Sequence, residues 1–214
     1  MSKTILIMGE SGSGKTTSMR NLPPEETFYI DCDKKGLSWK GWREQYSEEK
    51  KNYIQTSEAK KVMTLLSKIS EEQKQIKYVV IDTLNWIMID DEFSRMREKG
   101  YDKWQDMAYS IIGIISLANV LRKDLTIIFV MHSQTERDDN TGLTFTRVKT
   151  SGQKINKIGI ESKFTTVLLA KCNDGKYEFE TKNINSTVKA PMGAFETETI
   201  ENDILKVIEA LKDF

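Results

Sequence analysis

The sequence predicts an α/β fold: a mainly parallel sheet between helices, with antiparallel strands added at the C-terminal edge. Three observations predict it. Residues 9–16, Gly9-Glu10-Ser11-Gly12-Ser13-Gly14-Lys15-Thr16, match the phosphate-binding loop pattern G-x-x-x-x-G-K-[ST] at every fixed position, with an apolar run before them and a helix-compatible stretch after. Further apolar runs then alternate with helix-like segments, the pattern of parallel strands covered on both faces. In the last third, two strand-like runs are joined by Asn173-Asp174-Gly175, a hairpin signal.

In chain order, residues 4–8 are the first strand, and residues 17–22 continue the loop as a helix until Pro23-Pro24 ends it. Residues 27–32 read as a second strand and 52–55 as a short further one. Ser57 is the expected N-cap of a helix over 58–69, with Val62, Leu65, Leu66 and Ile69 on one side. Residues 78–82 are a strand ending in the carboxylate of Asp82. A helical region follows over 84–99, broken at Gly100, and a second over 102–122, with Met107, Ile111, Ile114, Ile115 and Leu121 facing inward. Residues 125–131 are an apolar strand. Residues 139–142 suggest an earlier hairpin or a mobile loop. Residues 165–171 and 176–181 are the strands of the late hairpin, and 200–211 close the chain as an amphipathic helix.

The 214 residues suffice for one domain spanning 1–214. Lys+Arg and Asp+Glu are both 32, so a globally basic surface for nucleic acid is excluded and only a local patch is left open. No apolar run approaches the roughly 18 residues of a membrane span, and no leader is expected before the first strand. The expectation is a soluble, cytoplasmic protein with no membrane partner. Cys32 and Cys172 lie far apart and there is one histidine, so a Cys/His zinc site is not expected; both cysteines read as small buried hydrophobes on strands.

The loop carries the chemistry. Its backbone N–H groups, with Gly12 and Gly14 permitting close approach, wrap a polyphosphate, and the helix start adds unsatisfied N–H groups. Gly9, Glu10, Ser11, Gly12, Ser13, Gly14, Lys15, Thr16 and Thr17 are therefore the candidate nucleotide-binding residues. Lys15 reaches the β- and γ-phosphates, and the Thr16 hydroxyl holds Mg²⁺. Asp82, at a strand end where open α/β sheets bind ligands, is the second candidate magnesium residue; its plain structural alternative is a cap for the helix after Thr83. Hydrolysis also needs a carboxylate to prepare water. Asp31 and Asp33 both end the second strand, and Asp33 is the one expected to face the γ-phosphate; the alternative is a polar loop start with Lys34-Lys35-Gly36. His132 ends the strand over 125–131, where it is expected to sense the γ-phosphate or the attacking water. Gln134 competes for that role, and a satisfied strand-end histidine is the plain alternative.

Taken together, these residues resemble the RecA-like P-loop ATPase core. In that family a strand ending in an acidic residue follows the phosphate-loop helix. Residues 29–33 (Tyr29-Ile30-Asp31-Cys32-Asp33) look like it, with Asp33 where many members have Glu. Residues 78–82 look like the magnesium strand, and 129–132 like the sensor strand. A narrower resemblance is to phage-encoded ATP-binding proteins, including single-strand annealing recombinases. It rests on Gly100-Tyr101-Asp102-Lys103-Trp104, on Ile128-Phe129-Val130-Met131-His132, and on Thr181-Lys182-Asn183 before Val188-Lys189-Ala190-Pro191-Met192-Gly193. It implies an ATPase using ATP and Mg²⁺, located in host cytoplasm. It also implies homo-oligomers, rings or filaments, with a cation supplied by a neighbour; Arg147, Lys149 and Lys154 are the candidates, with no choice among them.

Single-stranded DNA is the further implied partner, held along residues 137–157 by charge and by stacking on Phe145. Trp39 and Trp42, beside Lys40 and Arg43, read as a second contact or, in the favoured alternative, as packing of a helix onto the domain. The leading function is ATP-driven DNA recombination by strand binding and annealing. A helicase loader or motor accessory is the alternative. A small-molecule kinase is third, because no lid with clustered arginines is evident.

Overall fold

The computed structural model describes residues 1–100, 102–137, 142–151 and 159–214. The strands are β1 (Lys3–Gly9), β2 (Thr27–Asp31), β3 (Tyr53–Gln55), β4 (Tyr78–Asp82), β5 (Thr126–Arg137), β6 (Thr144–Val148), β7 (Thr166–Asn173), β8 (Lys176–Glu180) and β9 (Thr199–Glu201). The helices are α1 (Trp42–Gln45), α2 (Ala59–Glu72), α3 (Asn85–Ser94), α4 (Asp102–Val120) and α5 (Ile204–Ala210), with 3-10 turns at Thr17–Met19 and Ile160–Lys163. The predicted fold class is the one found.

The sheet order is β3-β2-β4-β5-β1-β7-β8-β9, with β6 paired to the outer half of β5. From β3 to β7 all neighbours are parallel; β8 and β9 are antiparallel, as is β6. The register sets Gly9 beside His132, Asp82 beside Val130, and Asp31 beside Asp82. The carboxyl ends of β1, β5, β4 and β2 therefore share one edge of the sheet. β4 does not adjoin β1, because β5 lies between them.

Strand residues alternate between two cores. Leu6, Ile30, Ile81 and Phe129 face α2, α3 and α4, and Ile7, Tyr29, Val80 and Val130 face the phosphate-loop turn and α5. The run 127–131 is fully buried, as a central parallel strand requires. In the late hairpin, Asp174 (φ 50°) and Gly175 (φ 79°) both adopt the left-handed conformation that a tight two-residue connection needs. The residues at 139–141 lie outside the described residues, but the pairing of Ser133 with Val148 through Arg137 with Thr144 makes β5 and β6 a hairpin.

Four local expectations are corrected. The helix after the loop is one 3-10 turn: Ser18 Oγ donates to Lys15 O at 2.6 Å and Arg20 Nη1 to Thr17 O at 3.2 Å, so side chains take carbonyls the helix needs before Pro23 stops it. Ser57 is not a cap; its hydroxyl donates to Asp90, and Glu58 starts α2 with no side-chain cap. The closing helix begins only at Ile204, because Thr199–Glu201 pair with β8 and the Asp203 carboxylate caps Leu205 N at 3.0 Å. Cys172 is exposed rather than buried, since β7 runs past the core at its end, whereas Cys32 is buried as expected. No helix among the described residues is long and apolar enough to cross a membrane.

Candidate active site

Lys3–Gly9 delivers the glycine loop to the shared edge. Two glycines are fixed by their neighbours. A Cβ on Gly9 would lie 2.7 Å from Ala170 O, and one on Gly14 (φ 87°) would lie 2.7 Å from Tyr177 Cδ1 and 3.2 Å from Asn202 Oδ1. The loop is thus braced from outside by β7, β8 and the residue after β9. Lys15 is buried and folded back: Nζ donates to Gly9 O at 2.8 Å, to Glu10 O at 2.5 Å and to Ser13 Oγ at 3.5 Å. Burial pushes its ammonium down to about 8, against the pull of Asp82. The Thr17 hydroxyl lies 2.8 Å from Ser38 Oγ, joining the first turn to the loop after β2.

Thr16 crosses the gap left by β5. Its hydroxyl donates to Asp82 Oδ2 at 2.7 Å. Tyr29 OH donates to the same oxygen at 2.7 Å, and Thr83 Oγ1 to Oδ1 at 2.8 Å. Asp82 is buried, and so is the whole of Tyr29. No group of three or more His, Cys, Asp or Glu side chains forms a cation cage among the described residues. One carboxylate and one hydroxyl are instead the protein share that suits magnesium, an ion that keeps waters and arrives with phosphates.

The two β2 carboxylates have different surroundings. Asp31 is enclosed: Oδ1 accepts from Lys34 N at 3.0 Å, and Oδ2 from Gly36 N at 2.9 Å, Tyr53 OH at 2.6 Å and Gln55 Nε2 at 3.1 Å. Burial alone would raise its carboxyl, but hydrogen bonds with Asp33, Tyr53 and Gly36 outweigh that and hold it below the usual range. Asp33, just past the strand, is raised to about 6 by burial and by its hydrogen bond with Asp31, with Lys35 as its ion-pair partner. Asp31 anchors the loop, and Asp33 is the carboxyl pushed up toward neutrality.

His132 is half-buried opposite Gly9. Burial, then the charges of Lys15 and Lys35, keep its imidazole below the usual range and hence neutral. Its backbone is locked from two sides: its N–H donates to Asn85 Oδ1 at 2.8 Å, and its carbonyl accepts from Lys149 N at 2.7 Å. Asn85 Nδ2 donates to Lys149 O at 2.6 Å. Gln134 instead turns along the hairpin to Glu136 Oε1 at 2.6 Å.

Of the trans candidates, Arg147 lies on β6 with Nη1 3.8 Å from Glu136, Lys149 is exposed beside His132, and Lys154 lies outside the described residues. Trp39 and Trp42 follow the packing alternative. Trp39 meets Tyr46 with ring centroids 6.0 Å apart, Trp42 meets Tyr53 at 5.5 Å, and Arg43 covers Trp42 at 4.7 Å.

Sequence reasoning missed Tyr29, Tyr53 and Asn85. The signal for Tyr29 was present: it stands two residues before Asp31, on the same face of a buried strand, where a phenol needs a partner.

A family model described as an AAA domain matches residues 1–191. No curated protein matches the sequence. Among solved structures, a KaiC-like protein from the hyperthermophilic archaeon Pyrococcus horikoshii is similar, with a TM-score of 0.50 and 12% identity over 83% of this chain and 77% of that one. At that identity the likeness speaks for the fold alone.

Proposed function

The chain belongs to the AAA domain family of P-loop ATPases, and from that premise we propose that it binds ATP with magnesium and hydrolyses it to act on single-stranded DNA. The observation that carries the hydrolytic part is the 2.7 Å contact of Thr16 with Asp82, which ties the glycine loop to the strand edge bearing Asp33 and His132. In this proposal the residues 9–17 cradle the phosphates, and Lys15 exchanges its carbonyl partners for phosphate oxygens. Thr16 and Asp82 hold the magnesium ion. When bound, that ion neutralises charge on the β- and γ-phosphates. Asp33 takes a proton from the attacking water, and neutral His132 hydrogen-bonds the γ-phosphate or that water. Arg147 or Lys149 serves the site of a neighbouring copy in a ring or filament.

The pH profile follows from the two shifted groups. Asp33 acts deprotonated and Lys15 acts charged. kcat/KM should rise as pH increases through about 6 and fall beyond about 8. A profile flat from acid to pH 7 would remove Asp33 as the base.

The DNA part rests on continuity. β5 runs from the buried core through His132 into the hairpin, which carries Arg137, Arg147 and exposed Phe145. Charge contacts and stacking on Phe145 suit a single strand. A second reading, a motor accessory whose ATP state controls a protein partner, is favoured by exposed Trp86, Phe93 and Met96 on and just after α3, directly downstream of Asp82. An ATPase titration with and without single-stranded DNA, run beside a measurement of assembly mass, separates them. The DNA reading expects stimulated phosphate release and salt-sensitive binding. Turnover indifferent to DNA, with no salt-sensitive binding, transfers the function to a protein partner.

A further inference from the structure

We propose that Tyr29 is a positioning residue for the Thr16–Asp82 pair, and that its hydroxyl sets how much magnesium the nucleotide complex requires. This rests on the magnesium–ATP reading above. Nothing in the phosphate-loop pattern calls for a tyrosine here.

Asp82 Oδ2 has two favourable acceptor directions. Thr16 Oγ1 takes one at 2.7 Å and Tyr29 OH takes the other at 2.7 Å. Both directions are thereby met by hydroxyl donors, and the two bonds together set where that oxygen lies. The carboxylate thereby also holds Thr16 at the place where the two would share the magnesium ion. The single hydroxyl proton of Thr16 points at Asp82, so its lone pairs are the part left for a metal. Thr83 Oγ1 fixes the other carboxylate oxygen at 2.8 Å, which stops the group from rotating.

Tyr29 is suited to the task by its own packing. It is fully buried in mid-strand, and its ring is held by Tyr46 and Trp39 at centroid distances of 5.7 and 6.4 Å, both edge-on. Among the described residues, no neighbouring phenol is free to replace it. Tyr53 OH is committed to Asp31 Oδ2 at 2.6 Å, and Tyr46 OH faces Leu22 O at 3.4 Å. Removing the Tyr29 hydroxyl leaves Oδ2 short of a donor where Asp82 is only 3% exposed. The carboxylate then re-aims, and Thr16 loses its orientation.

The test is titration calorimetry of ATP into the full chain, with EDTA and across a magnesium series, for wild type, Tyr29→Phe and Tyr46→Phe. Tyr29→Phe should raise the magnesium concentration for half-maximal tightening of ATP binding by roughly three- to tenfold, the fold-change that the net contribution of one ordinary hydrogen bond corresponds to. Its binding in EDTA should match wild type, and Tyr46→Phe should match wild type in both. An unchanged magnesium requirement in Tyr29→Phe, or equal losses in both variants, overturns the inference while leaving the ATP reading standing. A wild-type chain that shows no ATP binding with magnesium sinks the reading and this inference together. The wild-type chain labelled with fluorotyrosine gives a second readout should Tyr29→Phe fail to fold. The Tyr29 fluorine resonance should move when magnesium joins the ATP complex while that of Tyr46 stays, and a motionless Tyr29 resonance counts against the proposal.

Discussion

Lys15→Ala is expected to abolish measurable ATP binding while the chain stays folded. A phosphate-bound lysine contributes charge-assisted hydrogen bonds of about 1.5–3 kcal/mol each. Losing two of them weakens affinity by about 100-fold or more. The fold should survive because the partners Lys15 leaves behind, Gly9 O and Glu10 O, belong to a loop whose next residues are exposed, so water can replace the ammonium. Removing a buried cation also relieves the desolvation that holds its pKa down to about 8. Calorimetry with ATP and magnesium, beside a thermal melt, checks both halves. Wild-type affinity in Lys15→Ala would contradict the loop assignment outright.

Asp33→Asn is expected to separate binding from turnover. The amide keeps the shape of the side chain but cannot accept a proton from water, so the rate should fall by about 100-fold or more, the lower end of what a general base contributes. ATP affinity should change little, because Asp33 lies at the end of β2 and is not part of the glycine loop. The acidic limb near pH 6 should vanish with it, since Asp33 is the group raised to about 6. Asp31 cannot take over: four donors occupy its oxygens and keep it ionised as a loop anchor. Undiminished phosphate release by Asp33→Asn would move the proton acceptor elsewhere on the edge.

The strands were legible because burial writes them plainly. Residues 79–81 and 127–131 are apolar runs too short for helices, and both belong to central parallel strands. Glycine spacing disclosed the loop for a steric reason, visible at Gly14, where a side chain would strike Tyr177. Less legible were features decided by neighbours distant in sequence. Thr16 meets Asp82 across 66 positions, and Tyr29 meets it across 53, so neither contact has a local spacing to announce it. Ser57 illustrates the converse: a good capping residue was drawn away by Asp90, a partner that only the fold supplies. Asp203 was readable as the start of the last helix, and the apolar Ile200 obscured it by belonging to a strand.

β5 extends twelve residues without a break, its first half embedded in the sheet and its second half standing clear in the hairpin. Asn85 pins the crossing point to β4's sequel and to the return strand. A joint there would let one end shift unnoticed by the other; this chain has none. Whatever the outer end touches is mechanically in register with the sheet edge that carries the glycine loop and Asp82. Replacements beyond Gln134 can therefore change what the outer end touches without disturbing the embedded half of the strand, like a new bit fitted to an old shank.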